Sequence, residues 1–403
     1  MDDQAKAIGD RVRYWRRRRN LGRKHFADMV GRSASWVDKI EKGERALLRL
    51  PMLERVAEVL NIDPAVLTDQ PAAERAARCV DPTEVQAIRS ALGSYPGLAP
   101  AEPPAGTFRI TQQADYLDAA WAASHFTVVA RHLPTLITAA QNAVPTATGD
   151  ERLGAHRMLV TTYRLASSML LKFEASDLAW LAADRAMHAA LAADDTWALA
   201  RATRSVARAM TGDDQRPQAI GALLAMADRM RPQVTVDADH LLALYGMLYL
   251  AASTSAAQGE DAGLALEMHR DAAAAAQRLQ PEHNRHNTFF EQANVDIHRV
   301  SALVRLHEHG RALEYARTID PTSLAGLPPE RRANHLLDLT EANAKTGHYR
   351  PAVQTLRLAE QIAPEEVRCR PLAHGLLRLL LRNTNGEHGR LLSGMAERAG
   401  VAA

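Results

Sequence analysis

The sequence predicts an all-α protein: a unit of about five short helices, a connector, and a long array of helix pairs. Three observations lead there. Alanine is abundant while aromatic residues make up only 5% of the chain, a composition that favours helix. Apolar residues recur at helical spacing almost throughout, and no period-2 run of Val, Ile and Thr argues for a strand. The main interruption, GSYPGLAPAEPPAGTF at Gly93–Phe108, is too rich in proline and glycine to continue a helix and reads as a linker. At 403 residues the chain is long enough for more than one core.

The five-helix unit comes first. In IGDRVRYWRRRRN, Ile8, Val12 and Trp15 share one helix face. RKHFADMV reads as a second helix stopping at Gly31, and SASWVDKIEK as a third stopping at Gly43. LPMLERVAEVLNI is a fourth, with Leu53, Val56, Ala57 and Leu60 inward, and DPAVL a fifth, single turn. Two short helices joined by a tight glycine turn inside such a unit are a helix-turn-helix arrangement. Trp36 reads as a packing residue. Residues 1–67 carry 15 Lys/Arg against 10 Asp/Glu, and the remainder 34 against 37. A basic head on a mildly acidic body points to a polyanionic partner.

Two basic features sharpen that expectation. Arg23 and Lys24 sit in the first turn of the second helix, where the helix dipole disfavours cations, and Gly22 replaces the usual cap. A phosphate at that helix end would resolve the conflict. The run Arg16–Arg19 closes the first helix; complementing the dipole and touching a nucleic-acid backbone are equal readings of it.

On these residues the head resembles the phage-repressor-like (XRE-type) helix-turn-helix family of transcriptional regulators. The resemblance spans Ile8 to Leu67. It rests on Ala27 and Gly31, on Ser33, Val37 and Ile40, on the Ile40-Glu41-Lys42-Gly43 ending, and on Ala57, Leu60 and Pro64. It implies that the third helix enters the DNA major groove. By position, Ala34, Ser35, Asp38 and Lys39 would then face base edges, and Arg32, Lys42 and Arg45 would reach phosphates, with Arg23, Lys24 and Ser33 beside them. Arg23 stands where Gln is common, and Ala34 where a polar reader is common. Asp38 can instead pair with Lys42 at i,i+4.

The connector DPTEVQAIRSAL opens with Asp81, Pro82 and Glu84 in a capping-box pattern. Beyond the linker, helices come in pairs: 114–144, 151–195, 196–233, 237–281, 288–321 and 333–365. In the last, Leu336, Leu339, Gly347, Tyr349, Ala352, Leu356, Ala359 and Pro364 fit the 34-residue tetratricopeptide pattern. AAQGEDAGLALEMHRDAAAAA and HEHGRALEYARTIDP keep a glycine turn with altered spacing. The expected architecture is a right-handed tetratricopeptide-like α-solenoid of five to seven repeats. The domain reading is 1–69 helix-turn-helix, 70–110 connector and linker, and 111–403 repeat sensor and dimerisation domain.

The first helices of the pairs carry polar stripes. Arg201, Arg204 and Arg208 follow Trp197 on one face, and Thr161, Arg164 and Ser168 lie on another. Asn287, Glu291, Asn294 and His298 form a third stripe, opposite Phe290, Ala293 and Ile297. Stripes rich in Arg and Asn suit a groove for an anion or a peptide backbone.

Other classes lack support. Cys79 and Cys369 are far apart in sequence, which argues against a disulfide framework or a structural zinc site. The pairs His283/His286 and His307/His309 lack the i,i+4 zinc-protease spacing. No phosphate loop, nucleophile elbow or paired catalytic carboxylates appear, so neither an enzyme, a metal nor a cofactor is expected. Met1–Asp10 is polar and Leu241–Ala252 is too short to span a bilayer, so a cytoplasmic protein is expected. The head joined to its repeat body is similar to Gram-positive regulators that sense signalling peptides in quorum sensing, and to actinobacterial regulators of the same layout. That resemblance implies a homodimer, an inverted-repeat operator on double-stranded DNA, and a peptide or small-molecule effector in the concave groove. A protein-recruiting scaffold with non-specific DNA binding is the alternative.

Overall fold

The computed structural model describes residues 3–19, 21–47, 50–62, 64–68, 79–95, 107–149, 151–210, 212, 214–234, 239–279 and 288–401. Among these residues the chain forms 22 α-helices and no strand. The head holds α1 (Asp3–Arg18), α2 (Arg23–Val30), α3 (Ala34–Glu41), α4 (Leu50–Leu60) and α5 (Pro64–Thr68). The expected inward residues Ile8, Val12, Trp15, Leu53, Val56, Ala57 and Leu60 are buried, and they share one core with Phe26, Val37 and Ile40. Gly31 closes α2 in the left-handed conformation, φ 73°, which glycine adopts without a Cβ penalty. Gly9 lets α1 lie directly against α3, because a Cβ there would stand 2.0 Å from the Ile40 carbonyl oxygen.

Next comes α6 (Pro82–Gly93). Its capping box forms as expected: the Asp81 carboxylate accepts from the amides of Thr83 (2.8 Å) and Glu84 (3.1 Å), and the Glu84 carboxylate accepts from the Asp81 amide (3.2 Å). The helix is more than a spacer, since Ile88, Ala91 and Leu92 are buried in the main core of the body. The head is fastened to its N-terminal end. Arg18 pairs with Glu84 at 2.8 Å and Arg19 with Asp81 at 2.6 Å, and both guanidinium groups lie over the ring of buried Trp15. Arg16 turns the other way, onto Glu41 at 2.5 Å. Three of the four arginines in that run therefore find their counter-charge inside the protein. Most of the expected linker, residues 96–106, lies outside the described residues.

The body is a series of helix hairpins. These are α7 (Thr107–Ala122) with α8 (Phe126–Ala143), α9 (Glu151–Lys172) with α10 (Ser176–Ala193), and α11 (Thr196–Ala209) with α12 (Arg216–Met230). There follow α13 (Asp239–Gln258) with α14 (Ala262–Gln277), and α15 (Gln292–Arg305) with α16 (His309–Ala316). After the short α17 (Pro321–Ala325) comes α18 (Pro329–Lys345) with α19 (Tyr349–Ile362), then α20 (Pro364–Arg368), α21 (Pro371–Asn383) and α22 (Gly386–Ala399). Five hairpins turn alike: Ser124, Glu174, Glu260, His307 and Gly347 each take a left-handed φ, two residues before the second helix starts. Of the two glycine turns expected with altered spacing, Gly259 lies in its turn and Gly310 in the first turn of α16. In those hairpins the left-handed residues are Glu260 and His307, not Gly259 or Gly310. A non-glycine residue there costs about 1–2 kcal/mol, which packing of the paired helices outweighs.

The first helices α7, α9, α11, α13, α15 and α18 touch in succession, and α18 also touches α7, so the inner helices close into a ring. Buried charges seal the seam. Lys172 at the end of α9 pairs with Glu330 of α18 (2.7 Å) and with Glu366 of α20, and its ammonium lies over the rings of Trp121 and Phe126. Burial would raise the Glu330 carboxyl, but Lys172, Arg331 and Arg370 hold it well below the usual range. The Thr127 amide and hydroxyl donate to the two oxygens of Glu365, at 2.9 and 3.0 Å.

Candidate functional site

Two polar regions stand out, one on the head and one inside the ring. On the head, Ser33 caps α3, its hydroxyl accepting from the Trp36 amide at 3.2 Å. Val37 and Ile40 are buried and Trp36 is half-buried against the core, as its packing role requires. That leaves Ala34, Ser35 and Lys39 exposed on the outer face of α3. Beside them runs a cleft of about 1500 Å³ between α3 and α4, edged by Arg32, Ser35, Lys39, Arg45 and Arg55. Among the described residues, no ion pair engages Lys24, Arg32, Lys39 or Arg45. A helix with small exposed residues, flanked by four cations that no ion pair among the described residues engages, with Asp28 as the one carboxylate lining the cleft, suits close approach to a polyanion.

Residues 7–70 match the helix-turn-helix domain family. No curated protein matches the chain. Among solved structures, the apo form of the competence regulator ComR from Streptococcus vestibularis is similar at 13% identity and a TM-score of 0.31, over 83% of this chain and 98% of that one.

Some expected contacts of the helix-turn-helix domain are engaged internally. Arg23 was expected to need a phosphate. Instead its Nε donates to Glu41 at 3.0 Å, and Asp38 lies 3.7 Å from its Nη2. Glu41 is fully buried and also receives Arg16, so Arg23 at the start of α2 is compensated within the domain. Asp38 and Lys42 pair at 2.7 Å across one helical turn, which holds the Asp38 carboxyl below its ordinary value and the Lys42 ammonium above its own. Ser33 is committed to capping. Arg55 of α4, which pairs with Glu58 at 2.8 Å, lines the cleft without having been expected there. Its only sequence signal is a basic residue on the outward face of an amphipathic helix.

Inside the ring, α11 carries Arg201, Arg204 and Arg208. Arg201 lies over the Trp197 ring at 4.6 Å, and Arg208 donates to Ser168 of α9 at 3.3 Å. Arg164 of α9 pairs with Asp118 of α7. Burial lowers Arg204 far below the ordinary guanidinium range, and Arg208, Arg331, Arg164 and Arg201 lower it further. Burial, then Arg164, pushes Arg201 down to about 9; burial, then Arg331, pushes Arg208 down to about 10. His298 of α15 is driven well below its ordinary value by burial and then by Arg331 and Arg204. Mutual influence of this kind requires proximity, so α9, α11, α15 and α18 bring five arginines and a histidine together. Arg201 is buried, Arg204 half-buried and Arg208 exposed, so the cluster runs from the packed interior out to solvent. Among the described residues Arg204 has no ion pair, and its buried Nε lacks a hydrogen-bond partner.

The third expected stripe fares differently. Asn287 lies outside the described residues. Glu291 stands at the N-cap position of α15 without a capping side-chain bond, and burial raises its carboxyl. Asn294 is corrected: it is fully enclosed, its Nδ2 directed at the Met247 sulfur 3.7 Å away on α13. Helical spacing puts it on the same stripe as His298, but packing of α15 against α13 turns it onto Met247 and away from the arginine cluster. Asp118 and Arg331 were missed, because each lies on a face whose partner is set only by ring closure. No group of three or more His, Cys, Asp or Glu among the described residues could hold a metal ion, and no described helix is long and apolar enough to cross a membrane.

Proposed function

We propose that the protein is a transcription regulator that reads DNA through α3 and responds to an anionic effector held within the ring of inner helices. The observation that carries the second half is the surplus of positive charge around Arg204. A guanidinium keeps its proton in a protein, so enclosing several together is unfavourable until an anion joins them. A carboxylate, a phosphate or a peptide C-terminus would accept from Arg201, Arg204 and Arg208 together, with His298 and Arg331 on the facing helices.

The route to DNA follows from the contacts of α6. An anion that draws α9, α11, α15 and α18 together would move the core on which α6 packs. Arg18 and Arg19 tie α6 to the head, so the head moves with it. Coupling of this kind is worth roughly 1–3 kcal/mol. In this reading residues 1–69 bind DNA, and residues 111–403 sense the effector and dimerise. Two heads then cover an inverted repeat whose half-sites are about 10 base pairs, or a multiple, apart. A scaffold with sequence-indifferent DNA affinity is favoured by one observation: Asp38 and Lys42 satisfy each other, leaving Ser35 and Lys39 as the polar readers. Selection from a random duplex pool separates the two. Enrichment of an inverted repeat supports the regulator, whereas a pool that stays random while affinity falls with salt overturns it. Mass spectrometry of small molecules and peptides co-purifying from the native host tests the effector.

A further inference from the structure

The chain has two cysteines, 290 positions apart in sequence, and the fold brings them together. Cys369 ends α20 and Cys79 precedes α6; the Cys369 thiol lies against the Cys79 sulfur at 2.7 Å. They meet where the ring closes, beside Glu365 and Glu366 of the seam. Their surroundings differ in a way that divides labour. The Cys369 S–H points at Cys79, and Arg18 and Arg368 are near; together these hold the Cys79 thiol below its ordinary value against burial and the Glu365 charge. Cys369 is shifted the opposite way, first by its bond to Cys79 and then by burial. Cys79 is half-buried and open to a small oxidant, whereas Cys369 is buried.

We propose that Cys79 and Cys369 are a reversible, hydroperoxide-oxidised thiol pair whose disulfide locks the ring seam. The Cys79 thiolate attacks a peroxide oxygen, the O–O bond breaks, and the leaving oxygen departs as water or an alcohol, leaving Cys79 as a sulfenic acid. The Cys369 sulfur then attacks the Cys79 sulfur. The S–S bond forms, the S–O bond breaks, and the hydroxide takes the Cys369 proton to leave as water. Two thiols lose two electrons and the peroxide gains them. The cross-link joins the segment before α6, whose Cys79 carbonyl accepts from Arg18 at 3.0 Å, to the end of α20, a helix whose Glu365 carboxylate accepts from Thr127. It therefore bridges the attachment of the head and the closure of the body.

The test treats the reduced full-length protein with excess hydrogen peroxide, followed by peptide mapping without reductant and amide exchange. The expected result is one intramolecular Cys79–Cys369 peptide pair that dithiothreitol reverses. Exchange of the Thr127 amide should slow by about tenfold or more in the oxidised protein, since a cross-link over so long a loop restricts opening of the seam. In Cys369→Ser, or Cys369→Ala if the first folds poorly, dimedone should capture a sulfenic acid at Cys79. In Cys79→Ser, Cys369 should stay unmodified. Links only between molecules, over-oxidation of Cys79 without a link, no reaction, or a link that leaves Thr127 exchange unchanged would each overturn the proposal.

Discussion

Glu41→Ala should unfold most of the head while the body stays folded. Glu41 is fully buried where α1, α2 and α3 meet, and its carboxylate accepts from Arg16 at 2.5 and 3.1 Å and from Arg23 at 3.0 Å. Truncation strands Arg16, whose side chain is 7% exposed, and leaving a buried charge unpaired costs about 3–5 kcal/mol. Arg23 is 45% exposed and rehydrates, so its lost pair adds less than about 1 kcal/mol. The sum, roughly 4 kcal/mol, rivals the whole stability of a unit this small, which rarely exceeds about 3–5 kcal/mol. The carboxyl also makes this contribution acid-sensitive. Burial alone would raise its pKa, but hydrogen bonds from Arg16 and Arg23 hold it below the ordinary value. Its contribution is therefore present above the unfolded carboxyl value and lost as pH falls through the folded one. Amide exchange read by mass spectrometry separates the two parts of the chain: α1–α3 should exchange near the unfolded rate in the variant, with α9 and α11 unchanged. Protection of α1–α3 within about threefold of the parent, less than 1 kcal/mol, would show that Glu41 does not hold the head together.

Three further outcomes are expected. Lys39→Ala should cost roughly 1–3 kcal/mol at the selected duplex and relax preference at one position, whereas Arg45→Ala should weaken all duplexes alike and reduce the salt slope by about one; anisotropy titrations decide, and an unchanged preference for Lys39→Ala would refute the placement of α3. Arg204→Met should raise the melting temperature of the effector-free protein by about 2–4 °C for each kcal/mol of relieved repulsion and abolish the effector response; a lower melting temperature would mean the arginine is already satisfied. His335 of α18 is 5% exposed, and burial pushes it down to about 4. A histidine lowered on folding leaves the unfolded chain binding more protons, so stability should fall between pH 6.5 and 4, by about 3 kcal/mol in full. His335→Leu should flatten that slope in a pH series of thermal melts.

Much of the fold was legible because its signals are local. Ile8, Val12 and Trp15 share a face by spacing alone, Asp81 and Glu84 form their capping box within one turn, and Arg201, Arg204 and Arg208 line one side of α11 by the period of the helix. The turns at Glu260 and His307 are less legible, since their left-handed residues carry side chains and the nearby Gly259 and Gly310 do not mark the left-handed position.

What the sequence by itself determined is which residues share a helix face. Which face meets which was decided by the tertiary structure. Arg23 and Arg16 converge on Glu41 because α1 and α2 both pack on α3, a relation no spacing within either helix contains. Asn294 and His298 lie on one stripe, yet α13 covers the first and leaves the second beside the arginines. The meeting of Lys172 with Glu330, and of Cys79 with Cys369, depends on the small rotation of each hairpin against the next, accumulated around the body until the last inner helix reaches the first. That sum is spread over every inter-helix contact, so no short stretch of sequence records it.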